Sequence, residues 1–147
     1  MFDFEKLMVY QKALDHTDFV YDLIKKFPFE EKGNLTDQYR RAAISVSLNI
    51  AEGSAGTKKE FHNFLRITKR SLRECLVCTT IASRRKYITE KDQESSRAQI
   101  AEMSKMCTGL QKYLIRKQIW LHLSTPLLRT KYSELNTKQK IREQTLF

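Results

Sequence analysis

Apolar positions recur along most of this chain with the period of an α-helix, and nowhere with the two-residue period of a strand. The clearest stretch runs from Leu35 to Gly56. With Gln38 at 0° and about 100° added per residue, Tyr39, Ala42, Ala43, Val46 and Ile50 fall between about 40° and 140° and predict a core-facing stripe. A second apolar set, Ile44, Leu48 and Ala51, falls near about 220° to 280°, almost opposite. Arg41, Ser45, Asn49 and Glu52 recur at i, i+4, i+8 and i+11 as a narrow polar seam between them. A helix with two apolar faces needs two packing partners. Either both lie in its own bundle, or one is a neighbouring subunit whose register the seam helps to set.

The same pattern predicts three more helices. From Glu5 to Phe27, Leu7, Val9, Ala13, Val20, Ile24 and Phe27 oppose Gln11, Asp15, Asp18 and Asp22, and Pro28 stops the run because it lacks a donor N–H. Thr36 is the expected N-cap of the second helix, and Gly53 with Gly56 its expected left-handed end. Thr57 with Glu60 reads as a capping box for a third helix that runs to about Tyr87, its core stripe being Phe61, Phe64, Leu65, Thr68, Leu72, Cys75 and Thr79. Thr89 with Asp92 is a weaker box opening a fourth helix with the seam Ile100, Met103, Cys107, Leu110 and Leu114, expected to fray between Gln118 and Ser124. The pattern dissolves beyond Pro126. These elements predict an all-α fold, an antiparallel four-helix bundle over residues 1–124, with residues 125–147 a basic C-terminal tail or short extra helix.

Composition adds charge to this picture. The 147 residues suffice for one domain, and four Gly, two Pro and no low-complexity linker leave few places to divide it. The net charge of +10 is uneven: residues 1–27 and 28–56 each sum to −1, residues 57–88 to +7 and residues 89–147 to +5. The expected partner is therefore polyanionic or acidic. No run approaches about 18 apolar residues, and the start MFDFEKL is acidic rather than signal-like. Three cysteines form no disulfide framework, so a soluble, cytoplasmic protein without membrane association is expected.

On a wheel starting at Lys58, the third helix places Lys59, Arg66, Lys69, Arg70, Arg73 and Arg84 between about 20° and 120°, along roughly 38 Å. A solvated helix face ordinarily mixes signs, because i, i+4 pairs of opposite charge are mildly stabilising. A face of one sign fits phosphates better, and His62 beside it has the chemistry to join them. No recognition-helix, zinc-finger or aromatic RNA-platform signature is present, so weak sequence discrimination is expected. Cys75 and Cys78 have the spacing of zinc ligands but no second pair, and small core thiols are the default. His16, His62 and His122 stand in unrelated contexts, and Asn49 with Glu52 suits helix register better than catalysis. The expectation is no enzyme activity, metal, cofactor or small-molecule substrate.

The runs FEKLMVYQKALDHTDFVYDLIKKFP, QYRRAAISVSLNIAEG and EFHNFLRITKRSLRE resemble the four-helix-bundle proteins named for rRNA intervening sequences, over roughly residues 2–114. NIAEG preceded by RRA is the most specific part of the resemblance. It implies homopentamers of up-down-up-down bundles. That family includes the accessory variability determinant of diversity-generating retroelements, a basic pentameric barrel that binds the retroelement's reverse transcriptase and RNA. The resemblance thus implies a scaffold that binds RNA or an RNA/DNA hybrid together with a reverse transcriptase. The alternative it leaves open is a structural or protein-interaction oligomer, encoded in an rRNA intervening sequence, with no nucleic-acid role. Two departures are visible. Ser45-Val46-Ser47-Leu48 lacks the proline that members often carry, so no kink is expected, and Arg70 replaces a common glycine and adds charge. The tail after Leu114 matches no family pattern.

Overall fold

The computed structural model describes residues 2–122 and 126–145, and among these all regular structure is helical. The α-helices are α1 (Met8–Ile24), α2 (Leu35–Ser54), α3 (Lys58–Arg84), α4 (Glu90–His122) and α5 (Pro126–Thr145). The expected first helix is in two pieces. Asp3–Lys6 is a 3₁₀ turn, held by the Phe2 N–H donating to the Glu5 carboxylate at 2.8 Å, and Leu7 is extended before α1 begins. This bend folds Phe4 edge-on against Tyr10, with ring centroids 5.0 Å apart. α1 ends at Ile24 rather than Phe27, because Lys26 and Phe27 donate to the carbonyls three residues back, at Leu23 and Ile24, tightening the chain before Pro28.

Two expectations about α2 are corrected. Thr36 lies inside the helix, and Asn34 occupies the N-cap without a side-chain cap; the Glu31 carboxylate instead accepts from the Leu35 N–H at 3.4 Å. Neither Gly53 nor Gly56 is left-handed, and α2 closes through Ala55 in right-handed geometry. Gly53 is buried within the helix for a steric reason, since a Cβ there would lie 2.5 Å from the Phe64 Cβ. Its missing side chain lets α2 and α3 approach closely. α2 otherwise runs unbroken, as the absence of proline requires.

Both capping boxes form. The Glu60 N–H donates to Thr57 Oγ1 at 3.3 Å while the Thr57 N–H donates to the Glu60 carboxylate at 2.7 Å, and Thr89 with Asp92 repeats the exchange at 3.2 and 2.9 Å. α3 stops three residues before Tyr87. The Lys86 N–H donates to Ser83 O and the Tyr87 N–H to Ala82 O, a Schellman closure with Lys86 at φ +62° where glycine is the usual occupant. A non-glycine residue there left no sequence signal for the stop. α4 remains helical through Gln118 to His122, where fraying was expected; Ser124 lies outside the described residues.

α1 to α4 surround one core, α1 packing on α2 and α4, α2 on α3, and α3 on α4. The predicted α2 stripe is entirely within it. The core also carries polar groups that tie helices together. Tyr39 Oη of α2, Thr79 Oγ1 of α3 and Ser96 Oγ of α4 lie 2.8 to 2.9 Å from one another, and Thr79 Oγ1 donates onward to Cys75 O at 2.9 Å. A relay from Ser96 to Tyr39 to Thr79 to that carbonyl gives each hydroxyl proton one acceptor. Burial pushes the Tyr39 phenol up to about 12, so it stays protonated. His16 is fully buried, with Nδ1 2.8 Å from Gln99 Oε1. It completes the spacing Ala13, His16, Val20 on the α1 stripe, a position that periodicity assigns to the core whatever the residue.

Candidate nucleic-acid interface

α3 presents its cations because the opposite side of the same helix is fixed in the core by Phe61, Leu65, Thr68, Leu72, Cys75 and Thr79. Lys59, Arg66, Arg70, Arg73 and Arg84 are exposed, while His62 and Lys69 are half-buried. The two acids of α3 are engaged elsewhere, Glu60 in the capping box and Glu74 accepting from Gln38 Nε2 at 3.3 Å. Among the described residues, the ion pairs all lie outside the α3 stripe. Among the described residues, these cations therefore meet no carboxylate at ion-pair distance.

The stripe is not continuous. Val77 and Ile81, 56% and 42% exposed, occupy the outward face between Arg73 and Arg84, so the compact cluster is Lys59 to Arg73, about 21 Å long. Arg84 sits apart, with Arg85 and Lys86 at the C-terminal turn. What the sequence reading missed is the second wall. Lys69 Nζ donates across to Thr108 Oγ1 of α4 at 3.0 Å, and below it Lys69, Leu72, Arg73 and Leu76 of α3 face Arg97, Ala101 and Ser104 of α4 around a groove of about 530 Å³. The small α4 side chains open this groove, and Arg97 adds a cation from the far side. Arg97, Ala101 and Thr108 share one side of the α4 wheel, a signal present in the sequence but without meaning until α4 is known to flank α3. His62 joins the same edge through its backbone, its carbonyl accepting from Gln111 Nε2 at 3.1 Å.

The α2 seam divides. Asn49 Nδ2 donates to Ser45 O and Ser45 Oγ at 2.7 and 2.9 Å, and Ser45 Oγ lies 2.9 Å from Ser71 Oγ of α3, so this half sets register within the chain. Arg41, donating to Gln38 Oε1, and Glu52 are exposed. Ile44 and Ala51 are half-buried, whereas Leu48 is 60% exposed. The cysteines are free and buried, and burial pushes the thiols up, Cys75 to about 12 and Cys78 and Cys107 to about 11. Such neutral thiols are poor nucleophiles and poor metal ligands. Among the described residues, no three His, Cys, Asp or Glu side chains gather as a metal site, and no helix is long and apolar enough to cross a membrane.

No curated protein matches the chain. Among solved structures, a protein of unknown function from the S23 ribosomal protein family of Bacteroides thetaiotaomicron VPI-5482 is similar, with 25% identity, 71% of this chain and 95% of that chain covered, and a TM-score of 0.65. The family model described as 23S rRNA-intervening sequence protein matches residues 5–109, which takes in α1, α2, α3 and α4 as far as Gly109. The chain belongs to the 23S rRNA-intervening sequence protein family.

Proposed function

We propose that this protein is a non-enzymatic scaffold that binds RNA or an RNA/DNA hybrid along the α3–α4 groove. In this reading it serves a diversity-generating retroelement as an accessory of its reverse transcriptase. The observation that carries the reading is the exposed Arg66, Arg70 and Arg73 cluster, which has no carboxylate partner on its own helix and of which Arg73, together with Lys69, faces Arg97 across a groove. The like charges gathered between Lys59 and Arg73 repel one another unless a polyanion neutralises them. Phosphate contacts of this kind position a strand without reading its bases.

The assembly belongs to the proposal. The four core helices form an antiparallel up-down-up-down bundle, a reading supported by contacts that pair ascending residues of one helix with descending residues of another: Tyr39 with Thr79 and Ser45 with Ser71 between α2 and α3, Thr79 with Ser96 and Lys69 with Thr108 between α3 and α4, and Lys12 with Glu102 and His16 with Gln99 between α1 and α4. Five such bundles form a homopentameric barrel in which Leu48 meets a neighbour. Its 60% exposure, with Ile67 of the adjoining α3 also 40% exposed, supports an interface on this pair of helices. That same apolar pair favours the second reading, a protein-interaction oligomer without nucleic acid.

Structured RNA is expected to bind with a log affinity that falls linearly with log salt. Charge reversal of Arg66, Arg70 and Arg73 to Glu is expected to abolish binding. Unchanged RNA affinity in that triple variant would remove the site assignment. Light scattering is expected to report a pentamer, and Leu48→Lys to dissociate it while leaving helicity intact. A stable wild-type monomer at micromolar concentration defeats the assembly claim. A neighbouring reverse-transcriptase gene with paired template and variable repeats supports the retroelement role; location within an rRNA gene supports the second reading.

A further inference from the structure

The end of α4 differs from the bundle in composition and setting. Residues 110–147 lie beyond the family match and carry eight basic and two acidic residues, net +6. Within them, Tyr113 and Trp120 are 54% and 42% exposed. They are seven residues apart, hence on nearly one face and about 10 Å apart along the axis. Arg116 and Lys117 stand between them at i+3 and i+4. Lys117 Nζ lies 5.7 Å from the Tyr113 ring centroid, and Arg129 Cζ of α5 lies 5.0 Å from the Trp120 centroid.

The helical wheel places Lys112 and Arg116 to one side of the two rings and Lys117 to the other. A membrane-surface helix needs a broad apolar face free of cations. A second copy of this segment brings the same positive charge. Rings interleaved with cations match a chain of alternating bases and phosphates, because every base offers a flat face for stacking and every linkage a negative charge. Lys112 lies on the side of α4 that carries Arg97 and Thr108, where exposed Ile115 and Ile119 follow it, and the two rings stand about 80° to 100° further round the helix, so Lys112 stands between the groove side and the rings.

We infer that Tyr113 and Trp120 form a base-stacking platform for single-stranded RNA, continuing the path of the strand beyond the α3–α4 groove. This inference rests on the nucleic-acid reading above and adds a contact to bases where the groove contacts only phosphates. Trp120 is the single tryptophan of the chain, so selectively excited tryptophan fluorescence reports on this site alone. Titration of the full chain with a uridine oligonucleotide is expected to quench it, and inorganic polyphosphate, which offers charge without rings, is expected to bind without quenching. Tyr113→Ala with Trp120→Ala is expected to weaken oligonucleotide binding about tenfold or more and leave polyphosphate binding unchanged, while Trp120→Phe retains affinity. If the double variant loses helicity, Tyr113→Ala alone carries the same comparison. Wild-type oligonucleotide affinity in the folded aromatic variants overturns the platform. So does a fluorescence blue shift with phosphatidylglycerol vesicles in the absence of any quenching by oligonucleotide. If charge reversal of Arg66, Arg70 and Arg73 leaves binding intact while the aromatic variants lose it, the groove assignment fails and the platform stands.

Discussion

The inner and outer sides of the α2–α3 pair both carry polar groups, and they differ in whether those groups find partners within the chain. Inside, Tyr39, Thr79 and Ser96 satisfy one another, and Ser45, Asn49 and Ser71 bridge the two helices nearby. Outside, Arg66, Arg70 and Arg73 meet no carboxylate among the described residues. A buried polar group without a partner is costly, so the inner groups fix which helices meet and at what height. An exposed cation is hydrated and loses little by waiting for a ligand. The inner polar set therefore specifies the fold, and the outer one is free to specify a partner.

The comparison is tested hardest where the helices approach most closely. Gly53→Val is expected to destabilise the fold by about 3 kcal/mol, because its Cβ meets Phe64 inside contact distance. Even Gly53→Ala is expected to lower the thermal midpoint, although alanine is worth about 1 kcal/mol over glycine in a helix; a gain in stability would show that the crossing yields. Next, Tyr39→Phe removes two hydrogen bonds of the triangle, leaving Ser96 to donate to Thr79 and Thr79 to Cys75 O, and is expected to cost about 1 kcal/mol in chemical denaturation. An unchanged midpoint would reduce the hydroxyl triangle to ordinary packing.

His16 sharpens the contrast through pH. Burial holds its imidazole below the ordinary value of 6.5, so the unfolded chain takes up a proton that the folded chain resists. Its contribution is complete above about pH 6.5 and is lost as pH falls from there toward the lower folded value. His16→Leu is expected to flatten that part of the stability profile, and a wild-type slope in the variant would place its origin elsewhere. The smallest stability effect belongs to the outer side. Charge reversal of Arg66, Arg70 and Arg73, which is expected to abolish RNA binding, is expected to move the unfolding free energy by only about 0.5 kcal/mol. A large loss of stability would mean that these cations hold the bundle together after all.

Legibility followed the physics of each signal. The α2 stripe and the Thr57–Glu60 cap could be read directly, because helical periodicity and capping act within a few residues. The end of α3 could not, since Lys86 adopts a left-handed conformation without the glycine that announces it. Gly53 misled for the converse reason. It suggested a helix end where the requirement was room for Phe64, and that requirement comes from another helix. The cationic residues of the candidate site were visible one by one, but the wheel that grouped them omitted Val77 and Ile81, which split the stripe.

By itself, then, the sequence determined the helices, the faces they bury and the concentration of positive charge on α3, because each depends on residues within one or two turns of one another. The tertiary structure alone decided that Arg97 and Thr108 stand across a groove from Lys69 and Arg73. It also decided that the Arg41 to Glu52 seam is half spent inside the chain, and that Leu48 remains open. Those facts join residues far apart in sequence, and no local pattern encodes the height and rotation at which one helix packs against the next.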